Sequence, residues 1–263
     1  MLGASTSLSP TSSPFLSRDC CPVRVVAVSL FSIVPILSFP YIMIAERLAE
    51  IRSQIPEQVQ LVAVSKFHPV ESVREAYEAG QRLFGENRAQ ELAEKAPQLP
   101  EDIQWHFIGT LQRNKVKYIV PYVSLIESVD SESLLQEIVK QANRFDRQLR
   151  ILLQYKIAQE ESKSGLDHAE LLALVDHYLA TPEWRERITI CGLMGMATLT
   201  ADKEQIRHEF DTLRALQTEL RERYPDISWD ELSMGMSSDW PLAVEAGSTI
   251  VRIGTAIFGE RQY

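Results

Sequence analysis

The chain has 263 residues, 45% of them hydrophobic and 24% charged, with 36 acidic side chains against 27 Lys and Arg and a formal net charge of -9. Those values fit an ordinary globular protein of one or two domains, and the acidic balance excludes nucleic-acid binding through bulk electrostatics while leaving room for a small basic pocket. Cys20 and Cys21 are adjacent and Cys191 sits in an apolar run, a spacing that fits neither a disulfide framework nor a metal site, so a reducing cytoplasmic compartment is expected.

Residues 1–42 depart from that picture. The first 22 are rich in Ser and Pro and read as disordered; VVAVSLFSIVPILSFPYIMIA follows Arg24, uncharged and about long enough to cross a bilayer but interrupted by Pro35 and Pro40. Three interpretations stand: a targeting or anchor segment, a segment packed on the protein, or sequence upstream of the true start. The last is preferred, because Met43 precedes IAERLAEIRSQIP, where Ile44, Leu48 and Ile51 keep helical spacing between charges.

From Leu61 the chain alternates short apolar strands with amphipathic helices. Leu61–Ser65 is a strand that delivers Lys66 to its end, and a helix from Pro69 to Ala79 stops at Gly80. RLFGEN is the next strand, with Asn87 as a cap for RAQELAEK; IQWHFIG follows, then a helix over LQRNKVKYIV ended by Pro121. SLIESV, a helix capped by Asp130 or Ser131, RILLQYKI, the helix AELLALVDHYL, ITICGLMGM, a charged helix from Lys203 to Arg223, ELSMGMS, the helix in SDWPLAVEA and the strand TIVRIG complete eight cycles. Eight β/α cycles in roughly 220 residues predict one closed (β/α)8 TIM barrel over residues 43–263, whose active groups lie at the C-terminal ends of the strands.

Two strand ends carry chemistry. An amine in an apolar collar loses protonation and attacks an aldehyde more readily, so Lys66 is a candidate Schiff-base lysine, against the plain alternative of a lysine that ends a strand and reaches into water. In VRIGT, Gly254 lets backbone approach an anion, Thr255 offers a hydroxyl at a helix start, and Arg252 shares the inward face with Gly254. The barrel places Ser233 and Ser237 beside that turn, where phosphate commonly binds after strands seven and eight. An amine beside a phosphate cradle points to an aldehyde phosphate. His106 is either an acid/base group or a hydrogen-bonded structural residue; Met194, Met196, Met234 and Met236 read as lining rather than metal ligands.

AVSK, FGENRAQE, WHFIGTLQRNK, EESKSGL, GLMGM, LSMGMSSDWPLAVEAGST and VRIGTAIFGER, in that order, resemble the pyridoxal phosphate homeostasis protein family, whose barrel is similar to the N-terminal domain of alanine racemases. The resemblance implies pyridoxal 5'-phosphate bound as a Schiff base on Lys66, Arg252 facing the pyridine nitrogen, Ser233, Gly254 and Thr255 holding the phosphate, and Asn87 near the ring. Lys156 departs from the family, which often has Asn there. The implied function is a non-catalytic carrier in vitamin B6 homeostasis that delivers the cofactor to pyridoxal-phosphate-dependent apoenzymes, with a minimal racemase-type enzyme as the alternative. An arginine opposite the ring nitrogen weakens the electron sink, and the chain stops at Tyr263 where racemases continue into a domain supplying a second base. A monomer, with no nucleic-acid partner and no membrane contact for the barrel, is expected.

Overall fold

The computed structural model describes residues 42–158 and 164–260. Among these, eight parallel strands close into a barrel in sequence order: β1 Gln60–Val64, β2 Leu83–Glu86, β3 Gln104–Phe107, β4 Val123–Val129, β5 Leu149–Gln154, β6 Ile188–Met194, β7 Glu231–Met236 and β8 Ile250–Ile253. Closure is made by β1 against β8, with Val62 opposite Arg252 and Ala63 opposite Ile253. The helices are α1 Ile42–Gln54, α2 Val70–Glu78, α3 Ala89–Lys95, α4 Val116–Ile119, α5 Glu132–Arg144, α6 His168–Ala180, α7 Pro182–Arg185, α8 Lys203–Arg223, α9 Trp240–Glu245 and α10 Thr255–Phe258.

Strand alternation divides the interior in two. One face of each strand joins the helices in a large apolar core that includes Leu61, Ala63, Ile126, Leu153, Leu232 and Val251. The other face points into the barrel, where Val62, Leu125, Leu152, Cys191, Met194 and Ile250 form a separate apolar cluster. In β8, Ile250 joins that cluster, and Arg252 and Gly254 follow at two-residue steps toward the pocket.

Helix starts follow local chemistry. The Asp167 carboxylate accepts the Glu170 amide at 2.8 Å and the Glu170 carboxylate accepts the Asp167 amide at 2.9 Å, a capping box that fixes the start of α6. Gly80 ends α2 with φ +93, a conformation suited to glycine. The expected helix over Leu111–Val120 is shorter: Gln112 is extended, a 3-10 turn follows at Arg113–Lys115, and it runs into the single turn α4. The α3 cap also differs: Arg88, not Asn87, occupies it, and makes no side-chain capping bond. The first helix keeps its expected pattern, with Ile44, Leu48 and Ile51 buried in α1. The expectations for residues 1–41 lie outside the described residues. Within the described residues, no helix is long and apolar enough to cross a membrane.

Candidate functional site

A pocket of about 570 Å³ opens at the C-terminal ends of the strands, within the size range of small-molecule sites. Val64 and Lys66 from the end of β1, Asn87 after β2, Ile108, Gly109 and Thr110 after β3, Gln154 at the end of β5, Met196 and Leu199 after β6, Met236, Ser237 and Ser238 after β7, and Arg252, Gly254 and Thr255 at the end of β8 line it, with His68 at the rim. Five of the six residues singled out from sequence therefore meet here: Lys66, Asn87, Arg252, Gly254 and Thr255.

Ser233 does not. It is fully buried inside β7, where its hydroxyl donates to Glu127 Oε2 at 2.6 Å and accepts from Arg252. A hydroxyl so engaged beneath the pocket is poorly placed for a phosphate. Ser237, just past the end of β7, lines the pocket instead and accepts the Gly254 amide at 3.3 Å. The strand carries its serine inward three residues before it ends.

Arg252 is held from several sides. Its Nη2 donates to the Gly195 carbonyl at 3.0 Å, and its Nη1 contacts Ser233 and lies 3.4 Å from Glu127 Oε2. Burial pulls the guanidinium below its ordinary value, against the raising influence of Glu127 and Asp239. Burial also raises the Glu127 carboxyl, but the hydrogen bond and charge of His106, the charge of Arg252 and the Ser233 bond outweigh it, so the carboxyl lies below its usual value. His106 Nδ1 is 2.7 Å from Glu127 Oε1, and the ring is buried under the pocket. That position supports the structural role for His106 over acid/base chemistry.

Glu127 is the residue sequence reasoning missed, although a carboxylate in the middle of SLIESV was a signal: a strand buried on both faces seldom keeps an unpaired charge. Gln154 was missed too; it lines the pocket while its amide donates to the Ser164 carbonyl at 2.6 Å. Lys156, two residues on, does not line the pocket and pairs its amide with the Leu166 carbonyl at 3.1 Å.

The donor set fits a phosphorylated aldehyde with a flat heteroaromatic ring. Asn87 Oδ1 is buried without a hydrogen-bond partner, the state expected of an acceptor or, with the amide turned over, a donor set aside for a ligand. At Gly254 an added Cβ would stand 3.1 Å from the Val64 carbonyl, so the cradle is already tight on its protein side. Gly109 approaches Asn87 more closely still, since a Cβ there would lie 2.5 Å from the Asn87 carbonyl oxygen. Val64, Ile108, Met196 and Met236 supply apolar walls. Among the described residues, no group of three or more His, Cys, Asp and Glu could hold a metal ion.

Comparison with known proteins places this geometry. The alanine racemase N-terminal domain family matches residues 43–262. The pyridoxal phosphate homeostasis protein of Vibrio alginolyticus is 42% identical over 213 residues, covering 79% of this chain and 89% of that protein. PipY of Synechococcus elongatus PCC7942, solved with PLP bound, is 43% identical, with a TM-score of 0.75 over 82% of this chain and all of that one. The alanine racemase of Clostridium difficile 630, 12% identical, shares the fold at a TM-score of 0.69 over 84% of this chain and 57% of its own. The family match spans residues 43–262, which include the barrel and its pocket, and the chain belongs to the alanine racemase N-terminal domain family, within its pyridoxal phosphate homeostasis protein group.

Proposed function

We propose that the barrel, residues 43–263, holds pyridoxal 5'-phosphate as a Schiff base on Lys66 and acts as a carrier in the intracellular balance of vitamin B6 forms, without turnover of a substrate of its own. One observation carries the proposal: a lysine, a buried arginine and the Ser237–Gly254–Thr255 turn line one pocket of cofactor size. The names of the relatives and the bound cofactor in PipY support it.

Each residue then has a task. Lys66 supplies the amine, and Val64 beside it limits hydration of that amine. Ser237, Thr255 and the amides opening α10 receive the phosphate in place of Ser233, because short side chains and helix-start N–H groups suit an anion. Arg252, fixed by Gly195, Ser233 and Glu127, faces the ring nitrogen and opposes its protonation. Asn87 orients the ring edge. When bound, the cofactor supplies an aldehyde for reversible amine capture and, where its ring nitrogen is protonated, a strong electron sink. The arginine favours the first use, which is why a carrier is preferred to an enzyme. Delivery to apoenzymes follows by exchange of Lys66 for another amine, and a cytoplasmic monomer without nucleic-acid partners completes the proposal.

The test is an absorption spectrum after adding pyridoxal phosphate, followed by borohydride and peptide mass analysis. A near-visible band and a reduced adduct on Lys66, both lost in Lys66→Ala, are expected. An undiminished band in Lys66→Ala, with the adduct on Lys156, overturns the assignment.

A further inference from the structure

A second cluster of buried charge lies beside the pocket, and the cofactor roles above leave it unused. The ammonium of Lys95, at the end of α3, contacts Glu86 Oε1 at 2.7 Å, the Ser65 carbonyl at 2.9 Å and Glu91 Oε2 at 3.1 Å. Glu86 is fully buried at the end of β2, and its Oε1 also accepts the Ser65 hydroxyl at 2.7 Å. Glu91 Oε2 accepts the backbone N–H of Phe67 at 2.9 Å. Burial pushes the Glu86 carboxyl above its ordinary value despite Lys95, so this cluster is costly to keep inside the protein.

Its targets explain where it is kept. The Ser65 carbonyl and the Phe67 amide are the backbone groups on either side of Lys66. Phe67 has φ +65, in the left-handed region that a bulky residue seldom adopts, and it is held there by Glu91 on its amide and by Arg88, whose guanidinium lies 4.2 Å from the ring centre. Glu86 immediately precedes Asn87. One cluster therefore grips the chain around both the amine and the amide of the pocket. A staple serving only stability needs neither contact with the two peptides flanking Lys66 nor a disfavoured conformation at the next residue.

We propose that Lys95 and Glu91 are positioning residues for Lys66: through the Ser65 carbonyl and the Phe67 amide they fix the peptide units from which its side chain springs, and so set the angle at which the amine meets the aldehyde. The proposal rests on Lys66 being the Schiff-base lysine. In that step the Lys66 nitrogen lone pair attacks the aldehyde carbon, a C=N bond replaces C=O, and the oxygen leaves as water; release is the reverse, with water or another amine as nucleophile. The cluster moves no proton in this step. Its effect is on orientation, and misorientation slows bond formation steeply.

The experiment uses the full chain with pyridoxal phosphate and two variants. Glu91→Gln keeps the size of a half-buried side chain and removes its charge; Glu86→Gln with Lys95→Met removes a buried ion pair as a unit and avoids stranding either charge. Urea midpoints establish that each is folded. The readouts are the rate at which the near-visible band forms and the circular dichroism of that band per bound cofactor, which reports the orientation of the ring and is insensitive to global stability. Band formation slowed about tenfold, with an altered dichroism signal, is expected. Rates within threefold of the parent, with an unchanged signal, in a folded variant overturn the proposal. If the unaltered protein forms no borohydride-fixed adduct on Lys66, the Schiff-base reading itself fails, and this proposal with it.

Discussion

Replacing Glu127 by alanine gives the sharpest test of the pocket floor. The substitution removes the acceptor of Ser233 at 2.6 Å, the partner of His106 at 2.7 Å and the carboxylate 3.4 Å from Arg252, all in a region closed to water. Breaking a buried ion pair from one side costs about 3–5 kcal/mol, because the remaining charge has lost its compensation. Arg252 keeps its bond to the Gly195 carbonyl, which argues for the lower half of that range. For a barrel of this length, 3–5 kcal/mol corresponds to a fall of roughly 6–20 °C in melting temperature. Glu127→Gln retains an acceptor but not the charge, and an intermediate loss is expected. The pH dependence has a definite sign. A folded-state carboxyl held below its unfolded value stabilises the protein above that unfolded value, about 4.3, and the contribution disappears as pH falls through the lower folded value. The gap between the parent and Glu127→Gln should thus be constant near neutrality and narrow below about pH 4. Urea unfolding from pH 3 to 8 measures it. An alanine variant within about 1 kcal/mol of the parent at pH 7 refutes the view that Arg252 depends on this carboxylate.

Three further outcomes follow from the same geometry. Ser237→Ala should weaken pyridoxal phosphate binding roughly tenfold or more, the scale of one hydrogen bond to a charged group, and leave binding of unphosphorylated pyridoxal unchanged, as read by titration of the band; equal losses for both ligands would remove Ser237 from the phosphate site. Gly109→Ala places a methyl group 2.5 Å from the Asn87 carbonyl oxygen, so a stability loss of about 1–3 kcal/mol and a displaced Asn87 are expected in denaturant unfolding; a neutral effect would mean that the turn after β3 yields freely. In deuterated buffer with L-alanine, the cofactor-loaded protein should exchange the α-proton no faster than free pyridoxal phosphate, and Lys66-dependent exchange or racemisation, followed by NMR, would replace the carrier with an enzyme.

How far the site could be read from sequence depended on whether a feature was local. Lys66 at the end of LVAVSK, and Arg252 and Gly254 on one face of VRIGT, needed only strand alternation and a glycine turn; both segments form strands that end at the pocket. The eight-cycle rhythm gave the closed barrel for the same reason, since each β/α unit announces itself within some thirty residues. The phosphate role of Ser233 came from the resemblance and not from the strand pattern, which already put Ser233 inside ELSMGMS; the structure buries it there, three residues before β7 ends. Asn87 failed as a cap by a single residue, which is what frees its side chain for the pocket. The His106–Glu127–Ser233–Arg252 cluster was out of reach altogether. Its bonds span 21, 106 and 125 residues, and which side chains share a layer is decided by the register of four strands, not by any one of them.

That layering bears on why charge is buried in a barrel that has apolar residues to spare. Below the pocket, Val62, Leu125, Leu152, Met194 and Ile250 fill the interior with groups that need no partners and stabilise the protein wherever they pack. Directly above them on the same strands, Glu127 follows Leu125 and Arg252 follows Ile250 at two-residue steps, so one layer changes wholly in character over a rise of two residues. An apolar layer tolerates small shifts of one strand past another; hydrogen-bonded charges do not, because each bond fails within a few tenths of an ångström of misalignment. The Arg252 cluster joins β3, β4, β7 and β8, and the Lys95 cluster joins the ends of β1 and β2 to α3. Between them they tie most of the rim that bears Lys66, Asn87, Gly254 and Thr255. The stability forgone by burying charge is small beside that of the apolar layer, and what it secures is a fixed relation between Lys66 at one side of the mouth and the Gly254–Thr255 turn at the other, which the proposed attachment of the cofactor at both ends requires.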